Sequence, residues 1–355
     1  MNMNNDKVRI GIIGAGKLGS FHAAKVAAHP NAQLTGVMDT VESARNALAE
    51  KYGVKSCAAL SELISLTDAV VIAAPTSLHY EIGKTCLQLG RHVLMEKPLC
   101  SNWSEAHKLV TAAKRANVIL QTGHIEEFNP AWNSVQKELS EVREGAPALI
   151  DAVRTSGYSF RCTDTGAVFD MMIHDIDLIL SLVPSMIRSV EAVGYNVIGG
   201  ACEDIADVRL RFENGTAAKL FSSRVAEKAE RQMKITTPSK TVEINFGTGA
   251  VKIRKPTSAV LEGRFSPNCI LPEDAAKAAP SFMQKHWSVE EIQSDAVDAL
   301  SCEIDDFISS IINDKQPRVS GARGLAAVAV AETIIDSLKR KTGVEFAETG
   351  IRKAA

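Results

Sequence analysis

The stretch Val8-Arg9-Ile10-Gly11-Ile12-Ile13-Gly14-Ala15-Gly16-Lys17-Leu18-Gly19 decides how the chain is read. An apolar run of strand length passes into three glycines at G-x-G-x-x-G spacing, and Asp39 follows twenty residues after Gly19. Gly14 permits a tight turn out of the strand. Gly16 lets the backbone approach a pyrophosphate resting on the helix N-terminus, near Lys17 and Leu18, and Gly19 lets that helix pack close to the sheet. A carboxylate at Asp39 accepts both ribose hydroxyls of an adenosine and repels a 2'-phosphate, and no Arg immediately follows it. The cofactor is therefore read as NAD over NADP, a loop-solvating Asp being the bland alternative.

With 355 residues the chain is long enough for two domains. Its 45% apolar and 23% charged residues are ordinary for a soluble globular protein. A formal net charge of -2 offers no electrostatic reason to expect nucleic acid or an anionic membrane surface as partner. No apolar run approaches the roughly twenty residues of a membrane span, and the short polar Met1 to Lys7 carries no signal-peptide pattern. Seven scattered cysteines, the closest pair fourteen positions apart, read as reduced thiols of a cytoplasmic protein with no zinc cluster or disulfide framework.

Helix and strand alternate after the glycine turn. Helices are expected over Ser20 to His29, Val41 to Tyr52, Leu60 to Leu66, His79 to Leu89 and Trp103 to Ala116, the last capped by Ser101 or Asn102. Strands are expected over Gln33 to Met38, Ala69 to Ala73, His92 to Met95 and Val118 to Thr122. That alternation implies a parallel sheet covered on both faces, with ligands at the strand ends. Pro75, Thr76, His79, Glu96 and Lys97 accordingly join Gly14, Gly16, Lys17, Leu18, Gly19 and Asp39 as cofactor-binding candidates, and His124 faces the same edge.

Near residue 145 the pattern changes to long alternating runs: Ala148 to Ser156, Arg188 to Val197, Asp204 to Phe212, Thr216 to Arg224, Gln232 to Thr237 and Lys240 to Phe246. Asn214-Gly215 predicts a two-residue hairpin turn. Strands following strands imply a mostly antiparallel sheet in a second domain. Val168 to Leu182 reads as one helix within it, and residues 256 to 290, with four prolines, read as an irregular excursion. Asp295 to Ile312 and Arg323 to Leu338 predict helices that close the structure on the first domain.

Two constellations carry the chemistry. Met95-Glu96-Lys97-Pro98-Leu99 sets a charged pair at a strand end, where a solvated turn is the commoner reading. On a helix, Asp170, His174 and Asp177 share one face among Met171, Met172, Ile173, Ile176 and Leu178, an odd stripe for a solvated surface. Metal ligation is the sharp alternative there. No His pair stands at ligand spacing, so no metal is expected.

These residues resemble the Gfo/Idh/MocA family, which includes glucose-fructose oxidoreductase and inositol dehydrogenase. The likeness rests on the glycine turn, Glu96-Lys97-Pro98, Gly166-x-x-x-Asp170-x-x-x-His174 and the Gly324-Leu325 helix, in order along nearly the whole chain. It implies an α/β protein: an NAD-binding Rossmann domain at residues 1–124, then a substrate-binding and oligomerisation domain at residues 125–355 with an open, mostly antiparallel sheet. Homodimers or homotetramers through that sheet are also implied. Gly123 to Pro130 and Asp170 to Asp177 are similar to the nucleotide-sugar branch, the one resembling UDP-N-acetylglucosamine 3-dehydrogenase. Glu127 stands where that branch carries a basic residue.

The resemblance implies that Lys97, Asp170 and His174 are catalytic and that His124, Asn129, Arg161, Asp170 and His174 meet a sugar or nucleotide sugar. His174 would be the base, tuned by Asp170, with Lys97 holding the oxygen or sharing the base role. Glu96 would orient the nicotinamide ribose. Arg154, Arg161 and Arg224 are candidate diphosphate partners, or else ordinary ion-paired arginines. An NAD-dependent glycosidase and a non-catalytic NAD(H) sensor remain as rival readings.

Overall fold

Ile12, Val71 and Leu94 on one face, and Ile13, Ile72 and Met95 on the other, are all but inaccessible to water, so the strands that carry them are buried on both faces. In a computed structural model, which describes residues 7–160, 165–200, 202–264, 272–295 and 297–342, these strands form one parallel sheet. Its strands are β1 (Val8–Ile13), β2 (Ala32–Met38), β3 (Lys55–Cys57), β4 (Ala69–Ile72), β5 (His92–Glu96) and β6 (Leu120–Gly123), in the order β3-β2-β1-β4-β5-β6. Helices α1 (Lys17–Ala28), α2 (Glu42–Tyr52), α3 (Leu60–Leu66), α4 (Thr76–Gln88) and α5 (Trp103–Ala116) alternate with them. The order reverses direction between β1 and β4, so the carboxyl ends of β1, β4 and β5 border the crevice where this architecture binds ligands.

Local chemistry sets the helix ends. Asn102 caps α5, its Oδ1 accepting the Glu105 N–H at 2.9 Å, and Gly53 closes α2 in the left-handed conformation at φ 64°. α4 begins at Thr76, three residues before the expected His79, because Pro75 at the N-cap, φ -56°, is already set for a helix start.

The second unit opens with α6 (Pro130–Ser134) and α7 (Ser140–Arg143). Its sheet contains β7 (Leu149–Thr155), β8 (Ile187–Tyr195), β9 (Ile205–Phe212), β10 (Ala217–Ser223), β11 (Glu230–Thr236), β12 (Thr241–Asn245), β13 (Ala250–Pro256) and β14 (Trp287–Gln293). The order is β14-β13-β12-β11-β7-β10-β9-β8, antiparallel except where β10 runs parallel to β7. Ala206, Val208, Leu210 and Phe212 of β9 are buried while Arg209 and Arg211 are exposed, so one face packs and the other meets solvent.

Three local expectations are corrected. The β9–β10 connection is a three-residue loop, Glu213-Asn214-Gly215, with Phe212 and Thr216 closing the ladder at 2.9 Å. Gly215 alone takes a positive φ, 89°, whereas the two-residue type I' turn needs two such residues. Residues 168–182 are not one uniform helix: Val168–Met172 is a π-helical turn, followed by α8 (Ile173–Leu182). The excursion at 256–290 is largely regular. It contains the end of β13, α9 (Ser258–Leu261), α10 (Pro272–His286) and the start of β14, while residues 265–271 lie outside the described part. Pro280 sits inside α10 and β14 is an edge strand paired to β13 alone, which masks both periodicities.

α11 (Ala299–Asn313) and α12 (Gly321–Thr342) end the described chain. The compact units are discontinuous in sequence: the first takes the chain through Phe128, Val168–Leu180 and Asp298–Asp336, and the second takes the rest. Ile304, Phe307 and Ile308 of α11 thus share a core with β1, β2 and α1.

Gly14 takes φ 99°, and a Cβ there would lie 2.5 Å from the Ala73 carbonyl oxygen. At Gly19 a Cβ would come within 1.8 Å of the Gly14 carbonyl oxygen, whereas at Gly16 it would meet nothing within 4 Å. Gly19→Ala is therefore expected to destabilise the apo protein by about 1–3 kcal/mol. Gly16→Ala should leave the apo melting temperature in place yet weaken the thermal shift on adding NAD. Melting both variants with and without NAD checks the pair.

Candidate active site

The cofactor end is built at the β1–α1 turn. The Gly14 N–H donates to the Met38 carbonyl at 2.9 Å, tying this turn to the end of β2. Asp39, the next residue, accepts the Ala15 N–H at 2.6 Å and the Val41 N–H at 2.8 Å, which fixes its carboxylate beside the glycine turn. No side chain caps α1, whose N-cap is Gly16. The first-turn N–H groups of Lys17, Leu18 and Gly19 therefore open onto the space beside Gly16. An uncapped helix start with a bare glycine in front of it fits a dinucleotide pyrophosphate.

At the end of β4, Pro75 and Thr76 start α4 on the same edge. His79 has another task. It is 1% exposed, and its two ring nitrogens lie 2.9 Å from the carbonyls of Pro98 and Ala74. It straps the loop after β4 to the loop after β5, and burial pushes its pKa down despite those carbonyls.

The strand-end pair is the centre of the site. Glu96 closes β5 and is 8% exposed. His22 of α1 donates from Nε2 to Glu96 Oε1 at 2.6 Å, and the Lys97 backbone N–H donates to Oε2 at 3.2 Å. Burial alone would raise the Glu96 carboxyl, but the His22 hydrogen bond and the nearby His22 and Lys97 outweigh it and hold the group below the usual range. The Lys97 ammonium crosses to the π-helical turn before α8, donating to the Asp170 carbonyl at 2.5 Å and to Asp170 Oδ1 at 2.9 Å.

His174 follows one turn later and is half-buried. Its ring is edge-on to that of His124, with centroids 6.4 Å apart. His124 is 1% exposed and neither ring nitrogen has a hydrogen-bond partner. Burial pushes its pKa down, more than the Asp177 charge pushes it up.

Asp177 does not share the open face with Asp170 and His174. It is 1% exposed and takes the Arg323 guanidinium on both oxygens at 2.7 and 3.2 Å. Arg323 also donates to Glu127 at 3.1 Å, and Arg318 reaches the other Glu127 oxygen at 3.1 Å. Burial works against ionising Glu127, but Arg323 and Arg318 outweigh it and lower its pKa. The acidic residue in that unexpected place is thus matched by basic residues from the C-terminal segment. Of the three residues on the expected stripe, Asp170 is paired with Lys97 and Asp177 with Arg323.

In the second unit, Asn129 caps α6 through the Ala131 N–H at 3.0 Å and donates to the Phe246 carbonyl at 3.3 Å. Arg224 pairs with Asp204 at 2.6 Å and donates to the Thr165 carbonyl. Arg154 is buried with its guanidinium 5.8 Å from the Phe246 ring centre. Arg161 lies outside the described residues.

Sequence reasoning did not single out His22, Arg318, Arg323 or Glu303. Glu303 of α11 is 1% exposed, and burial, Glu96 and Asp306 push its carboxyl well above the ordinary range. A His and a Glu standing among apolar helix positions, Ala23 and Val26 for one, Ile304 and Phe307 for the other, were the available signals.

Two family models match the chain: an oxidoreductase family model with an NAD-binding Rossmann fold over residues 8–124, and the GFO/IDH/MocA C-terminal domain over residues 145–250. UDP-N-acetylglucosamine 3-dehydrogenase of Acidithiobacillus ferrooxidans is 29% identical over 91% of this chain and 95% of its own. Its solved structure superposes with a TM-score of 0.80 at 28% identity, covering 94% of this chain and 98% of that one. Myo-inositol 2-dehydrogenase of Thermotoga maritima is 26% identical over 96% of this chain and 99% of its own. Levoglucosan dehydrogenase in complex with NADH and levoglucosan has a TM-score of 0.81 at 18% identity, covering 94% of this chain and 98% of that one, a likeness of fold. The chain belongs to the Gfo/Idh/MocA family of oxidoreductases, with NAD as its cofactor.

Proposed function

We propose that this protein is a sugar dehydrogenase that oxidises a secondary hydroxyl, the 3-hydroxyl of a nucleotide sugar such as UDP-N-acetylglucosamine being the leading candidate. The observation that carries the reading is the Lys97 ammonium bound to Asp170 with His174 one turn further on. That group supplies a cation and an imidazole of the kinds needed to hold an oxygen and take its proton. The names of two long-range relatives, a UDP-N-acetylglucosamine and a myo-inositol dehydrogenase, support a polyol-like substrate.

NAD, when bound, supplies the ring carbon that accepts hydride from the carbinol carbon. His174 takes the hydroxyl proton, and the C–O bond becomes a carbonyl. Lys97 faces the substrate oxygen and stabilises its developing negative charge, while Asp170 fixes the ammonium in place. Asp39 accepts the adenosine ribose hydroxyls and Glu96 meets the nicotinamide ribose.

In the second unit, Val193, Asp207, Phe221 and Val153 stand in one row on the solvent-facing side of the sheet, three apolar side chains and one acid. That side supports assembly as a homodimer or homotetramer. The described cysteines are free thiols, which supports a reducing, cytoplasmic setting, and among the described residues no helix is long and apolar enough to cross a membrane.

Lys97→Ala and His174→Asn should each lower kcat by about 10²–10⁴, the usual contribution of acid–base help, with little change in NAD affinity. Near-normal kcat in both variants would sink the assignment. NADH formation should respond to UDP-N-acetylglucosamine above free polyols and hexoses; release of free sugar without NADH would point to a glycosidase instead. Arg45 already touches the Asp39 carbonyl at 3.5 Å. Asp39→Ser should therefore shift the NAD over NADP preference by about tenfold or more toward NADP, measured as a ratio of kcat/KM.

A further inference from the structure

One buried side chain behind the site has no assigned task. His22 from α1, Glu96 from β5 and Glu303 from α11 each present an atom within 4.8 Å of the others. Two of the three are accounted for: His22 Nε2 donates to Glu96, and Glu96 also takes the Lys97 N–H. Glu303 is not. Neither of its carboxyl oxygens has a hydrogen-bond partner, and His22 Nδ1 also lacks one. An ionised carboxylate in that position would be buried, without a protein donor and next to a second carboxylate, a costly form for a buried charge. A carboxylic acid avoids the cost. Its O–H is a donor in a cluster that holds the Glu96 carboxylate, an acceptor.

We propose that Glu303 is a positioning residue that keeps its proton at neutral pH, completing with His22 and Glu96 a buried unit of one neutral acid, one histidine and one carboxylate anion behind Lys97. Its effect on the reaction passes through Glu96. With Glu303 neutral, Glu96 is the single anion of the cluster, fixed in orientation, so the next residue, Lys97, keeps one defined electrostatic partner on this side and Asp170 on the other. The opposite shifts of the two carboxyls, Glu96 down and Glu303 up, agree with that division. The consequence for turnover rests on the dehydrogenase reading; the protonation itself does not.

The charged and titratable groups facing Glu303 are Glu96 of β5, with Lys97 next to it, His22 of α1 and Asp306 on its own helix. Gln121 of β6 donates to the Glu303 backbone carbonyl at 3.1 Å, and His124 beyond β6 feels the Glu96 charge.

In the unfolded chain Glu303 ionises near the ordinary value of 4.5, while the folded protein holds the proton to much higher pH. The stability of the wild type is thus full below 4.5 and declines as pH rises toward the folded value, relative to a variant with nothing to ionise.

The test is a pH series of melting temperatures for the full-length NAD-bound protein and its Glu303→Gln variant, with no substrate present. The difference, variant minus wild type, should rise by roughly 2 °C per pH unit between about pH 5 and 7. A flat difference, or one of the opposite slope, overturns the proposal. So does a stoichiometric divalent metal in the purified wild type that is lost in Glu303→Gln, since a bound cation requires both carboxyls ionised. A second arm reads position: Glu303→Ala should lower kcat more than it alters KM, and Glu303→Gln, which keeps an N–H donor, should recover most of the loss. Equal losses in the two variants contradict a donor role. Failure of Lys97→Ala to impair turnover would remove the dehydrogenase reading but leave the melting result standing, so the two can fail separately.

Discussion

A single carboxylate, Glu96, has to remain ionised where there is almost no water, and the arrangement around the carboxyl end of β5 answers to that constraint. Burial works against its charge, while the His22 hydrogen bond, the Lys97 backbone N–H and the Lys97 charge favour it. Their partners come from different parts of the chain: His22 from the helix that carries the nucleotide turn, Lys97 from the strand end itself. The group that anchors the cofactor helix and the group that faces the substrate in the proposed reaction therefore share one anion. Lys97 extends the chain of charge to Asp170, on the π-helical turn that leads to His174.

Behind this line, a second set of charges does structural work. Arg323 holds Asp177 and Glu127 together, and Arg318 adds to Glu127. That network ties α8, the short segment after β6 and the start of α12. Pairing of this kind gains little over an apolar core of the same shape, yet losing one member leaves a buried charge uncompensated. These ion pairs hold α8, which carries His174, against the segment that follows His124.

Much of this was legible in the sequence because its physics is local. Glycine spacing, the acid at Asp39 and the apolar strands specify a dinucleotide fold within one stretch of chain, and Leu60–Leu66 and Trp103–Ala116 have the bounds their periodicity predicts. The strand-end Glu96-Lys97 pair and Asp170 with His174 are found by motif. What escaped is what only the fold brings together. His22 and Glu303 lie far apart in sequence, and each reads as an isolated polar residue on a helix until the sheet places both beside Glu96. Asp177 was in the right periodicity for the Asp170 face, but the π turn alters the register and Arg323 claims it. β13 and β14 were hidden by Pro256, Pro280 and weak alternation. The hairpin turned on a single backbone angle at Gly215 that Asn214-Gly215 alone does not specify.

The central claim is that hydride leaves a secondary carbinol carbon while the protein removes the hydroxyl proton. The most direct measurement is mass spectrometry of the reduced cofactor formed from UDP-N-acetylglucosamine deuterated at C3. Deuterium should appear in the NADH, and the turnover should slow relative to the unlabelled sugar wherever hydride transfer limits the rate. Reduced cofactor without deuterium, or consumption of the sugar with no reduced cofactor at any point in the reaction, would contradict it.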